Sequence, residues 1–187
     1  MVDTGESSKS SDPNYFPRWH PYYRGSVRMN VRPEDEIGPQ LRSMGIERGD
    51  IKALLLTHLH TDHAGGLPNF RGPETLISGS DYRLARGLAG RLLGYLPNRW
   101  PEWFSPELVA FRSESFGPFE QSSKVTQAGD VVIAPTLGHT PGHVSGGNDE
   151  AEEQTRSRSA PPLRGVYSFP RCFGLCWPVY LAGEELP

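Results

Sequence analysis

The sequence predicts an α/β fold in which a buried strand runs straight into a cluster of histidines. Three observations point there. Residues 51–57, Ile51-Lys52-Ala53-Leu54-Leu55-Leu56-Thr57, are too continuously apolar for a strand with one wet face, which is the pattern of a strand covered on both sides of an α/β sheet. Glu74–Ser78 and Val131–Thr136 read as further short strands, with stretches of helical spacing elsewhere in the chain. The chain has 187 residues, 36% apolar, with 21 Gly and 18 Pro. That is enough for one domain with a core able to hold a buried site. The mix suits a loop-rich α/β protein, or a folded part joined to a poorly ordered one.

Taken in order, Val2-Asp3-Thr4-Gly5-Glu6 reads as the end of a strand entering a turn, although no alternating apolar run precedes it. Residues 7–32 are polar, aromatic and proline-rich, and read as a surface excursion. Ile37, Leu41 and Met44 stand at helical spacing, with Gly45 as the stop. Ser80 to Leu93 reads as one helix with Ser80 or Asp81 near its start. Residues 94–119 hold four prolines, four phenylalanines and two tryptophans, and read as a large loop or lid. The last predicted strand, ending at Thr136, leads into Gly138-His139-Thr140-Pro141-Gly142-His143. Two regions are expected: a domain over 1–145, and a polar insert with an irregular tail over 146–187, where apolar periodicity is lost.

The formal charge of −3 gives no reason to expect nucleic acid or an anionic membrane as partner. No apolar run is long enough to span a bilayer and no signal-peptide pattern opens the chain. The two cysteines, Cys172 and Cys176, make no disulfide framework, so a reducing cytoplasm is the expected compartment.

The chemistry lies in Thr57-His58-Leu59-His60-Thr61-Asp62-His63-Ala64-Gly65-Gly66. Three imidazoles and a carboxylate within six residues, at the end of a buried strand, supply the nitrogen and oxygen donors that zinc accepts and that iron or manganese tolerates. A histidine-rich surface turn is the bland alternative, but strand ends are where α/β folds place ligand crevices. His139 and His143 follow another strand, and one of them is expected to complete a three-histidine site. His20, in a proline- and aromatic-rich loop, is expected to have a plain surface or packing role. Asp3 is a candidate to accept the second ring nitrogen of a ligating histidine.

These strings, from about Asp3 to Val144, resemble the metallo-β-lactamase superfamily, and in particular its hydrolases of the N-acyl homoserine lactonase type. The resemblance implies an αβ/βα sandwich with a dinuclear site, usually of zinc. It implies that His58, His60 and His139 hold the first metal and that Asp62 and His63 contribute to the second. It casts Asp3 as the prop of the histidine loop, His143 as a supporting residue and Asp62 as the group that also orients the attacking water. The implied substrate is a small molecule, a lactone, thioester or other activated acyl compound, with the 94–119 lid as an apolar wall.

Two departures qualify that expectation. The family has strands ahead of its Val-Asp-Thr-Gly segment, so the sandwich is expected to be incomplete. The family also expects a metal-bridging aspartate and a last histidine, yet no histidine follows His143, and the nearest echo is Leu181-Ala182-Gly183-Glu184. The leading expectation is therefore a zinc-dependent hydrolase. The second is an inactive fragment that binds at most one ion, and a diiron redox relative stands third.

Overall fold

The computed structural model describes residues 1–148. Two three-stranded sheets form the frame. In the first, β1 (Ala53–Leu55), β2 (Glu74–Ser78) and β3 (Glu107–Val109) are parallel in that order. In the second, β4 (Ser123–Lys124), β5 (Val131–Pro135) and β6 (Val144–Asn148) are antiparallel. Val2 bridges Leu55 in parallel on the free side of β1, and the amides of Leu55 and Asp3 bond the carbonyls of Met1 and Leu55. The chain start thus pairs as a strand would, as read from the sequence.

Alternation along the strands sorts side chains to two cores. Leu54 and Ile77 face the helical side, where they join Leu56, Leu59, Leu67, Phe70, Ala85 and Tyr95. Leu55 and Leu76 face the second sheet and meet Ile133 and Val144. β1 is therefore covered on both faces, as its apolar run predicts. Each fully buried leucine there contributes ~1.5–3 kcal/mol relative to exposure.

The helices are short. α1 (Pro21–Gly25) and α2 (Ile37–Ser43) precede β1, α3 (Thr61–Ala64) follows it, and α4 (Gly79–Arg86) and α5 (Leu88–Leu92) follow β2. In α2, Ile37 and Leu41 pack on the helical core and Gly45 takes φ 77° beyond its end, but Met44 is exposed. The single helix expected over 80–93 is two, because Gly87 is extended at φ −83° and ψ 169°.

Other expectations are corrected. The excursion at 7–32 is not merely surface: Tyr15, His20 and Tyr23 are buried, the Tyr23 hydroxyl donates to the Gly94 carbonyl and the His20 ring bonds the Leu92 carbonyl. Of the surface and packing roles read for His20, the buried ring takes packing. Residues 94–119 are not a lid. Tyr95, Leu96 and Phe104 are buried, Trp100 and Trp103 pack on the helical core, and β3 supplies a sheet strand. The boundary at 145 falls inside β6, whose residues pair with β5 through Asn148. Cys172, Cys176 and Leu181–Glu184 lie outside the described residues. Among the described residues no helix is long and apolar enough to cross a membrane. The amide of Val144 donates to the carbonyl of Thr57 at 3.1 Å and ties the second sheet to the first.

Candidate metal centre

The histidines gather where β1 and β5 end. Thr57 leaves β1, His58 and His60 follow in extended chain, and α3 turns Asp62 and His63 back beside them. β5 ends at Pro135, and the loop to β6 brings His139 and His143 across. Around the His58 ring stand those of His63 at 4.1 Å, His60 and His139 at 4.8 Å and His143 at 5.2 Å. Two sets of donor atoms lie within 4.8 Å of one another: His58, His60 and His139, and His58, Asp62 and His63. All five sequence-predicted ligands are brought together. His58 belongs to both sets.

Hydrogen bonds decide which nitrogens carry lone pairs. Asp3 Oδ1 accepts the Thr57 amide at 2.8 Å, and Asp3 Oδ2 accepts the Thr57 hydroxyl at 2.9 Å and faces His63 Nδ1 at 2.8 Å. A carboxylate only accepts, so His63 Nδ1 carries the proton and Nε2 is left with its lone pair. The Thr57 hydroxyl, having donated to Asp3, can only accept from His58 Nδ1 at 3.1 Å. His58 Nε2 is then unprotonated, and it is buried with no hydrogen-bond partner. His60 Nε2 faces the Leu93 carbonyl at 3.1 Å, an acceptor only, which leaves Nδ1 as its free donor atom, 3.2 Å from His139 Nε2.

Electrostatics agree with that picture. Burial, reinforced by neighbouring imidazoles, holds His58 well below the ordinary histidine range. Burial brings His60 and His143 down to about 4 and also lowers His139. Neutral imidazole is the form that binds metal. A buried polar atom without a partner costs about 1–3 kcal/mol, and His58 Nε2 is such an atom at the centre of the donor groups. The donor set is nitrogen and oxygen, which fits zinc. His58 is buried and His139 exposed, so the cluster has a floor and an open side.

The sequence model of the metallo-β-lactamase superfamily matches residues 1–152. The chain belongs to this superfamily. Among its relatives, an N-acyl homoserine lactonase of Bacillus cereus is 27% identical over 146 residues, which are 78% of this chain and 51% of the relative. A second lactonase, from a Bacillus species, is 28% identical over 147 residues with the same coverage. The chain thus spans about half the length of the curated relatives it matches. A Bacillus thuringiensis AiiA variant, solved with N-decanoyl-L-homoserine at its active site, superposes with a TM-score of 0.60 at 21% identity, over 79% of this chain and 52% of that one. At that identity the likeness shows the fold, an α/β metallo-β-lactamase arrangement.

Within this superfamily fold the supporting residues behave in part as expected. Asp3 props the histidine loop, and it does so from φ 55°, a left-handed conformation that aspartate tolerates better than most residues. His143 Nδ1 lies 2.9 Å from the Thr136 hydroxyl. Gly66 is required by a close backbone approach: a Cβ would stand 2.2 Å from the Thr4 carbonyl oxygen. Sequence reasoning missed Asp81, Tyr95 and Thr136. Asp81 lies just past the end of β2, on the same sheet edge as His58, and that position was the available signal.

Proposed function

We propose that this chain carries the hydrolytic metal centre of its superfamily, with His58, His60 and His139 holding one zinc ion and Asp62 and His63 contributing to a second. The observation that carries the reading is His58 Nε2, a buried, unpartnered lone pair shared by both donor sets. Zinc bound there would lower the pKa of a water towards ~7 and polarise a substrate carbonyl. Iron or manganese would be accepted by the same donors.

The chain's own groups do the remainder. Asp3 and Thr57 hold His58 and His63 in the tautomers that present Nε2 to the site. Asp62, whose Oδ2 lies 3.5 Å from His63 Nε2, would accept a hydrogen bond from the attacking water and so orient it. The buried Tyr95 ring, 4.4 Å from that of His60, backs that imidazole from the core side. Names of the relatives, N-acyl homoserine lactonases, support a lactone or another activated acyl compound as the substrate class.

One observation favours a lesser activity. Apart from the shared His58, the second position has only Asp62 and His63 among the described residues. A centre holding one ion without turnover is the reading that follows. Zinc content per chain, measured together with hydrolysis of N-acyl homoserine lactones and simple thioesters, separates the two. Near two equivalents with turnover supports the hydrolase; one equivalent or less without turnover sinks it.

A further inference from the structure

The two histidine-bearing loops meet on a single carboxylate outside the donor sets. Asp81 is fully buried, near the start of α4. Its Oδ2 accepts the amide of Leu59, the residue between His58 and His60, at 2.9 Å. Its Oδ1 accepts two hydroxyls. One is that of Thr140, next to His139, at 2.9 Å; the other is that of Tyr95, whose ring lies against His60, at 2.6 Å. The backbones touch as well: a Cβ on Gly142 would stand 2.3 Å from the Asp81 amide nitrogen.

An acidic residue at a helix start is ordinarily explained by the helix dipole. That explanation does not cover Asp81, whose three donors all come from outside α4. Burying a carboxylate is costly unless its lone pairs are satisfied, and hydrogen bonds to an ionised acceptor are the strong ones. Two of the three donors, the Leu59 amide and the Thr140 hydroxyl, are taken from the two loops whose separation decides whether three imidazoles can share an ion.

We propose that Asp81 is the positioning residue that sets the spacing of His139 from His58 and His60, and so governs the affinity of the metal position those three share without touching the ion. The proposal rests on the metal-binding reading above. It makes a distinction within the site. Asp3 serves His63 and His58 from one side, whereas Asp81 joins the 58–60 loop to the 139–143 loop from the other.

The test uses the whole chain and its variants Thr140→Val, Thr140→Ser and Asp81→Asn, titrated with zinc against a competing chelator and with cobalt(II) as a spectroscopic probe. Thr140→Val keeps the side chain's shape and removes only its hydroxyl. It is expected to weaken the His58/His60/His139 position about tenfold, and Asp81→Asn about 10–100-fold, with the cobalt bands of that position changed and any bands of the Asp62/His63 position kept. Thr140→Ser is expected to restore the parent value. Unchanged affinity in Thr140→Val, or an equal loss in Thr140→Ser, overturns the proposal. Should Asp81→Asn not fold, the Thr140 pair decides alone. If the parent chain binds neither metal, the functional reading fails by itself, and hydrogen exchange at the Leu59 amide judges the clamp. Protection lost in Thr140→Val supports it, and unchanged protection rejects it.

Discussion

Oδ2 of Asp3 lies 2.8 Å from Nδ1 of His63, across 60 positions of sequence. The same carboxylate takes the amide and hydroxyl of Thr57. Asp3→Ala would leave the Thr57 amide without its acceptor and free two imidazoles to change tautomer. The expected cost is about 1–3 kcal/mol of stability, read as a lower urea midpoint. Zinc affinity should fall about 10–100-fold, read by competition titration.

His58 stands in both donor sets, whereas His143 stands in neither. His58→Ala is expected to remove all bound zinc, and His143→Ala to keep at least part of it. Elemental analysis of the two purified variants checks this, and full zinc content in His58→Ala would refute the ligand assignment.

The metal-free chain should lose stability as the pH falls from about 6.5 towards 4. Unfolded histidines take up protons near 6.5, while burial delays protonation of His60 and His143 in the folded chain to about 4. Protons therefore bind the unfolded chain first, and each such histidine weakens folding by up to ~1.4 kcal/mol per pH unit in that window. Above 6.5 the contribution is constant. His58 and His139 act in the same sense, and the raised carboxyls of Glu6 and Asp81 oppose them. Four histidines outnumber two carboxyls, so the net slope is a loss. Urea midpoints in the presence of chelator at pH 7.5, 6 and 5 should descend; a flat series would reject the neutral cluster.

Glu6 has the opposite signature. Burial pushes its carboxyl up to about 7, and its Oε2 is shut away without a partner. Because the folded pKa exceeds the unfolded one, the charge destabilises the fold above pH 7, and the penalty disappears as the pH falls to about 4.5. Glu6→Gln keeps an oxygen for the Ser7 amide. It is expected to raise stability at pH 8 by on the order of 2 kcal/mol and to change little at pH 4.5, by thermal or urea unfolding at the two pH values.

Gly66→Ala places a methyl 2.2 Å from the Thr4 carbonyl oxygen, a backbone atom that cannot swing aside. The expected loss is at least ~1–3 kcal/mol. Unfolding at neutral pH with and without zinc measures it.

Much of this was legible because it is written in short stretches of chain. Leu54 and Leu55 show by their unbroken apolar run that β1 is covered on both faces, and His58, His60, Asp62 and His63 follow it directly. Asp3 was found through the need of a ligating imidazole for an acceptor. What stayed hidden depends on distant partners. Gly87 could have continued a helix and instead breaks one. Trp100 and Phe104 look like a lid until the core they fill is assembled. Ser145-Gly146-Gly147 has little strand propensity of its own and becomes β6 by pairing with β5. Asp81 reads as a routine helix-start acid until its donors are known.

The bond from the Val144 amide to the Thr57 carbonyl has a consequence for lifetime as well as shape. His58 follows one partner and His143 precedes the other, so the seam between the two sheets runs through the imidazoles. Parting the sheets and scattering the ligands become one event. An ion gripping both loops would rivet that seam, and the rate of its escape would share a barrier with the rate of unfolding.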